Sequence, residues 1–69
     1  MRLSARNKIG ATVTGITKGE ATANVTLDAN GTRLVASITV EAAEELGLAA
    51  GSQVVAIVKA SDVILGIPD

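Results

Sequence analysis

Two short polar segments near the ends of the chain contain side chains of the types that bind oxyanions in proteins. The first is Ser4-Ala5-Arg6-Asn7, followed by Lys8, and the second is Lys59-Ala60-Ser61. Each joins a long cationic side chain to a hydroxyl donor, and neither follows the alternation of a strand, which leaves backbone N–H groups free to donate. Such donors suit a tetrahedral anion.

The absence of carboxylates inside both segments narrows the choice of anion. Neither segment contains Glu, and the one adjacent acid is Asp62, directly after Ser61. A fully ionised dianion such as molybdate, tungstate or sulfate needs donors only. Phosphate near neutral pH keeps a proton and prefers a site that also offers an acceptor. The pattern therefore favours the fully ionised dianions.

A purely structural interpretation of these residues stays open at this point. A Ser-Ala-Arg-Asn segment is often a solvated turn whose polar side chains cap local amides. A lysine at a strand end, as at Lys59, commonly protects a sheet edge. Gly10 and Gly15 are interpreted as bends in a barrel strand, because no P-loop or dinucleotide-binding spacing surrounds them.

The composition excludes several functional classes. The 69 residues include no His, no Cys and no aromatic residue, and 6 basic residues nearly balance 7 acidic ones. Disulfides, thiolate metal sites and histidine chemistry are therefore absent. No stacking platform or basic footprint exists for nucleic acid. We expect no enzyme, since no nucleophile–base pair is present, and no cation site.

The length predicts one domain over residues 1–69 that gains stability by self-association. So short a chain buries only about 60% of the surface exposed when it is unfolded, and small domains without disulfides or metals often oligomerise. No apolar run approaches the ~20 residues that span a bilayer. No signal-peptide pattern follows Met1, so we expect a cytoplasmic protein without membrane contact.

The apolar periodicity predicts strands on both sides of one short helix. Asn30-Gly31 is a strong hairpin signal. Thr39 is a suitable helix cap and Gly47 a suitable helix end. The predicted strands cover residues 9–17, 21–28, 32–39, 54–59 and 63–65.

This order of elements predicts a small all-β barrel. Three strands, a short helix and two further strands are typical of a five-stranded OB-type Greek-key barrel, with the helix between strands 3 and 4. The strand at 54–59 is apolar on both faces, so we expect it to be central or covered. The alternative is an open β-sandwich that a partner subunit completes.

Several motifs along nearly the whole chain resemble the molbindin (Mop) family of small molybdate- and tungstate-binding proteins. Ser4-Ala5-Arg6-Asn7 resembles the family's S-A-R-N opening, and Leu46-Gly47-Leu48 followed by Gly51 resembles its L-G-L-x-x-G motif. Val58-Lys59-Ala60-Ser61-x-Val63 resembles its closing motif. The family usually has Gly where this chain has Ala11, with Gly10 one place earlier, which raises the question of where the first strand bends.

The resemblance implies an OB-type domain that assembles as a homohexamer, a trimer of dimers, with oxyanions bound between subunits. By position, Ser4, Ala5 and Arg6 of one subunit would face Lys59, Ala60 and Ser61 of another. The serines and cations would donate from side chains and the alanines from backbone N–H groups. Asn7 would orient its neighbours, and the turn Gly19-Glu20-Ala21 is the candidate for a second site.

The resulting hypothesis is non-catalytic binding of molybdate or tungstate for storage or homeostasis in the cytoplasm. An alternative is an anion-responsive regulatory or interaction module, like the related domains of molybdate transporters and regulators. An OB-type nucleic-acid binder is a third class, which the lack of aromatic residues and the net charge of -1 oppose.

Overall fold

The chain forms three β-strands, one short α-helix and a fourth β-strand. This is the predicted order of the first five elements. The computed structural model describes residues 1–69. No helix of the chain has the length and apolar character needed to cross a lipid bilayer. The elements are β1 (Asn7–Lys18), β2 (Thr22–Ala29), β3 (Thr32–Thr39), α1 (Val40–Glu45), β4 (Gln53–Val58) and one turn of 3-10 helix (Ala60–Asp62).

The strands form one antiparallel sheet, in which the long strand β1 pairs with both β2 and β4. The strand order is β3-β2-β1-β4. The first half of β1, from Asn7 to Thr12, pairs with β4, and its second half, from Thr12 to Lys18, pairs with β2. Strand twist accumulates along this length, and a bulge bends the strand further. The sheet therefore coils toward a barrel, which confirms the all-β, OB-type class.

The bend in β1 lies at Gly15 and not at its beginning. Gly10 sits in regular register opposite Val55, and it is not among the residues with positive φ. Ala11, where the related family usually has Gly, points its methyl group into the core. The register shift falls between Val13 and Gly15. The predicted bend at Gly10 is therefore wrong, and the bend at Gly15 is confirmed.

The hairpin between β2 and β3 is set by local chemistry. Asn30 and Gly31 have φ of 52° and 92°, and a two-residue turn with both φ values positive matches the right-handed twist of its strands. The carboxylate Oδ1 of Asp28 accepts a hydrogen bond from the Gly31 N–H at 3.1 Å. These interactions confirm the predicted hairpin and fix the register of β2 against β3.

Helix α1 begins and ends at the predicted residues. The Thr39 hydroxyl accepts a hydrogen bond from the Ala42 N–H at 3.0 Å, as an N-cap does. At the other end Gly47 has a φ of 62°, and the Leu48 N–H donates to the Ala43 carbonyl at 3.1 Å. This is the hydrogen bond of a Schellman stop. The helix is thereby limited to six residues.

The interior of the single chain is small. Only 7 of its 69 residues are buried. The inner face of β2 supplies most of them, because its residues alternate between core and solvent as predicted. The central cluster consists of Ala11, Val13, Val25, Leu27 and Ala29. Two valines, one leucine and two alanines are a weak core for a folded domain, which agrees with the expected need for further burial.

The predicted fifth strand at Val63–Leu65 is wrong. After the 3-10 turn the chain continues as a C-terminal tail, Val63–Asp69, that belongs to no strand. Ile64, Leu65 and Ile67 are 94%, 90% and 93% exposed. Alternating apolar residues show that a segment prefers burial, but they do not show which surface buries it. In the single subunit the tail pairs with no strand of the sheet.

The prediction that strand 54–59 is central or covered is also wrong for the single chain, in which Val55 and Ile57 are 50% and 43% exposed. β4 is an edge strand, so the barrel is open between β4 and the other edge strand, β3. This β3–β4 groove has a volume of about 470 Å³ and a floor of Val13, Val25 and Leu27. Its walls are Leu34–Ile38 of β3, Val54–Val58 of β4, and Leu46 and Leu48. Fourteen of its 15 lining residues are hydrophobic.

Candidate functional site

The structure brings the two polar segments to the same end of the sheet. Asn7, the first residue of β1, pairs with Val58, the last residue of β4. Because the strands are antiparallel, the preceding Ser4–Arg6 and the following Lys59–Ser61 leave the sheet side by side. We call Ser4–Asn7 the N-terminal cluster and Lys59–Ser61 the C-terminal cluster. They are more than fifty positions apart in sequence, and one strand pairing makes them neighbours.

The side-chain donors of both clusters are available for a ligand. Ser4, Arg6, Lys59 and Ser61 are all exposed. None of these side chains makes a hydrogen bond within the chain. Two cations and two hydroxyl groups therefore face solvent at one end of the molecule, with their donor atoms unused.

The C-terminal cluster adds free backbone donors. In the 3-10 turn the Asp62 N–H donates to the Lys59 carbonyl at 2.9 Å, and the Val63 N–H donates to the Ala60 carbonyl at 3.3 Å. The N–H groups of Lys59, Ala60 and Ser61 have no acceptor in the chain. Successive unpaired N–H groups in a turn form a concave surface that favours anions. The predicted donation from the Ala60 backbone is thus open to a ligand.

Asn7 differs from the other residues of the clusters because its side chain makes a hydrogen bond within the chain. It is the first residue of β1 and is half-buried. Its Nδ2 donates to the carbonyl oxygen of Val58 at 3.0 Å. Lys8 also belongs to β1, so the polar segment outside the strands is shorter than the sequence indicates. This long-range hydrogen bond had no signal in the sequence, because nothing local links positions 7 and 58.

The electrostatic character of the two clusters favours an anion over a cation. Asp62 is the one carboxylate directly beside them, and it is exposed. No group of three or more His, Cys, Asp or Glu residues is placed to hold a metal ion. A site that offers only donors and two positive charges has nothing to coordinate a cation.

The second-site candidate lies at the other end of β1. Gly19-Glu20-Ala21 forms the turn between β1 and β2 and is exposed. The Gly19 N–H donates to the Thr22 carbonyl at 2.8 Å, and the Ala21 carbonyl accepts from the Val40 N–H at 2.9 Å. The structure does not bring this turn to the two clusters, so any ligand here would occupy a separate site.

A single chain does not enclose the clusters. No residue of either cluster lines the β3–β4 groove. A second, smaller groove is lined by residues of β4 with Met1, Leu46 and Leu48, and it also contains no cluster residue. An anion at the clusters of one subunit would therefore remain largely hydrated. Full desolvation requires additional protein on the open side.

This fold and these exposed clusters define a small OB-type binding domain. Its sequence matches the family model described as the TOBE domain over residues 3–65. The chain is 39% identical over 66 residues to molybdenum-pterin-binding protein 2 of Clostridium pasteurianum, covering 94% of this chain and 97% of that protein. The chain therefore belongs to the TOBE-domain family, among its molybdenum-pterin-binding (Mop) proteins.

Solved structures agree with this assignment. A molybdate-binding protein from Sporomusa ovata superposes with a TM-score of 0.93 at 42% identity, covering 97% of this chain and 100% of that chain. The cytoplasmic molybdate-binding protein ModG, with molybdate bound, gives a TM-score of 0.84 at 44% identity, covering 87% of this chain and 43% of that chain. The resemblance to the Mop family is confirmed, and so is the prediction of a binding protein that is not an enzyme.

Proposed function

We propose that this chain binds molybdate or tungstate without catalysis, at sites between the subunits of a homo-oligomer, as a cytoplasmic store of the anion. The observation that carries the proposal is the meeting of the N-terminal and C-terminal clusters at one end of the sheet. Their cations, hydroxyl groups and N–H groups are unpaired there. Relatives described as molybdate-binding proteins, one of them cytoplasmic, support the choice of ligand and compartment.

The chemistry of the donors fits a tetrahedral dianion. The Arg6 guanidinium provides a planar fork of N–H groups, and Lys59 provides a point charge. Together they neutralise the two negative charges, so the anion avoids the cost of an unpaired buried charge. Ser4 and Ser61 add hydroxyl donors, and Ala5 and Ala60 add backbone N–H groups. Molybdate and tungstate carry no proton near neutral pH and need no acceptor.

The structure of the single chain supports self-association. Each subunit presents an open apolar groove between β3 and β4 and a tail in which Ile64, Leu65 and Ile67 are almost fully exposed. Both groove walls are strand edges with unpaired N–H and C=O groups, as a further strand requires. We propose that the tail of one copy occupies the groove of another copy, and that six copies assemble as a trimer of dimers.

This assembly would also complete the anion site. The tail follows the C-terminal cluster directly, so a tail held by a second subunit carries Lys59–Ser61 toward that subunit. The N-terminal cluster would then face the C-terminal cluster of a neighbour, as the family resemblance implies. The Gly19-Glu20-Ala21 turn is proposed as the second site, since the Glu20 and Ala21 N–H groups have no acceptor in the chain.

Titration calorimetry on the assembled protein tests the proposed function. We expect molybdate and tungstate to bind at micromolar protein with a clear heat of binding, because both are dianions with the same shape. Phosphate should bind more weakly, since its proton lacks an acceptor. Native mass spectrometry on the same sample gives the number of subunits and of bound anions. An intact oligomer that takes up neither molybdate nor tungstate would refute the proposal.

A further inference from the structure

The hydrogen bond from Asn7 to Val58 links the two clusters at the end of the sheet, where both segments leave their strands. Asn7 closes the N-terminal cluster, and Val58 immediately precedes the C-terminal cluster. The donor Nδ2 and the acceptor oxygen are 3.0 Å apart, and the pair is half-buried. Asn7 is the one residue of either cluster whose side chain is committed to the protein itself.

The acceptor of this bond belongs to the same peptide group as the first donor of the C-terminal cluster. The Val58 carbonyl and the Lys59 N–H share one planar, trans peptide bond, so they point in opposite directions. A hydrogen bond that fixes the carbonyl therefore also fixes the direction of the Lys59 N–H. It further polarises that N–H, because hydrogen bonds in series strengthen each other.

We propose that Asn7 is a positioning residue that orients the Lys59 N–H toward the anion. Through this peptide it also orients the rest of the C-terminal cluster. This inference rests on the proposed function, since it assigns a role to Asn7 in the same site. The Asn7 amide does not contact the anion. It acts through the Val58–Lys59 peptide and holds that peptide in its binding orientation before the ligand arrives.

The end of a strand is where such a constraint matters most. Beyond Val58 the chain leaves the ladder, and the next backbone hydrogen bonds are those of the 3-10 turn. The register makes Asn7 and Val58 a hydrogen-bonded pair of the ladder, so the Val58 carbonyl also accepts from the Asn7 backbone N–H. Loss of the Asn7 amide removes one of its two partners and leaves the Lys59 peptide less firmly held. Lys59, Ala60 and Ser61 would then have to be ordered by the anion, at a cost to its affinity.

The test compares Asn7→Ala with the matched control Asn24→Ala, in the assembled protein. Asn24 is exposed on β2 and its side chain makes no hydrogen bond in the chain. Two quantities are measured: the amide resonances of Lys59–Ser61 without anion, and the dissociation constant for molybdate. Asn7→Asp, which keeps the shape but cannot donate, gives the resonance measurement if the alanine variant does not assemble.

For Asn7→Ala we expect shifted and more rapidly exchanging Lys59 and Ala60 amides in the anion-free protein. The molybdate affinity should fall about fivefold, the value of one neutral hydrogen bond. Asn24→Ala should change neither quantity. Unchanged Lys59 resonances in Asn7→Ala, or a crystal structure with molybdate in which the Asn7 Nδ2 contacts the anion, would overturn the proposal. If the wild-type protein binds no molybdate, the proposed function fails, whatever the amide resonances show.

Discussion

A chain shortened to residues 1–62 should remain monomeric under conditions in which the full chain assembles. The deletion removes the C-terminal tail and leaves every strand, α1 and both clusters in place. Ile64, Leu65 and Ile67 are almost fully exposed in the single chain. Burying three such side chains in a neighbour's groove stabilises the assembly by about 5 kcal/mol per tail before the cost of ordering it. Native mass spectrometry measures the outcome.

A second truncation provides the control. A chain of residues 1–67 loses only Pro68 and Asp69 and keeps all the apolar side chains of the tail, so it should assemble like the full chain. Circular dichroism should show that the 1–62 chain keeps its β-structure, with lower thermal stability because its groove stays uncovered. Full assembly of the 1–62 chain would show that the tail does not hold the subunits together.

Replacing either cation of the clusters should weaken molybdate binding by about ten- to a hundredfold, since a hydrogen bond to a charged group is worth about 1.5–3 kcal/mol. The variants are Arg6→Ala and Lys59→Ala. Both side chains are exposed and unpaired in the single chain, so their loss should not impair folding. The anion, in contrast, would keep an uncompensated charge in a desolvated site. Titration calorimetry gives the affinities, and native mass spectrometry confirms the assembly.

A matched cation elsewhere on the sheet separates a site effect from an effect of net charge. Arg33, on β3, is also exposed and belongs to neither proposed site. Arg33→Ala should bind molybdate as the wild type does. Arg6→Lys should fall between wild type and Arg6→Ala, because it keeps the charge and loses the forked donor. The assignment of Arg6 and Lys59 fails if their alanine variants bind as tightly as Arg33→Ala.

Those parts of the fold that depend on neighbouring residues could be predicted from the sequence. Asn30-Gly31 determines its own turn, and Thr39 and Gly47 determine the helix ends, because the groups that interact lie within a few positions. The alternation in β2 shows directly which side chains enter the core. The position of β4 at the sheet edge and the unpaired tail were predicted wrongly. Both depend on which distant strands meet, and an apolar pattern does not contain that information.

The sequence likewise predicts one part of the candidate site, its chemistry, but not the other part, the placement of its residues. The donor types in Ser4–Asn7 and Lys59–Ser61 indicate the chemistry, because Arg, Lys and Ser in carboxylate-free segments suit few ligands other than oxyanions. The pairing of Asn7 with Val58, which makes the clusters neighbours within one chain, and the hydrogen bond between them appear only in the structure. That adjacency also raises the question of whether Arg6 and Lys59 serve a site from one subunit or from two.

Assemblies that mix the Arg6→Ala and Lys59→Ala chains test most directly whether neighbouring subunits build the site together. The two variants are co-expressed with different tags, mixed oligomers are isolated, and molybdate stoichiometry is measured at a concentration that fills wild-type sites only. If Arg6 of one copy and Lys59 of another share each site, random mixing should restore about a quarter of the sites. If both residues serve the same site from one chain, no complete site can form. Mixed oligomers that bind no more molybdate than either variant alone would contradict the account.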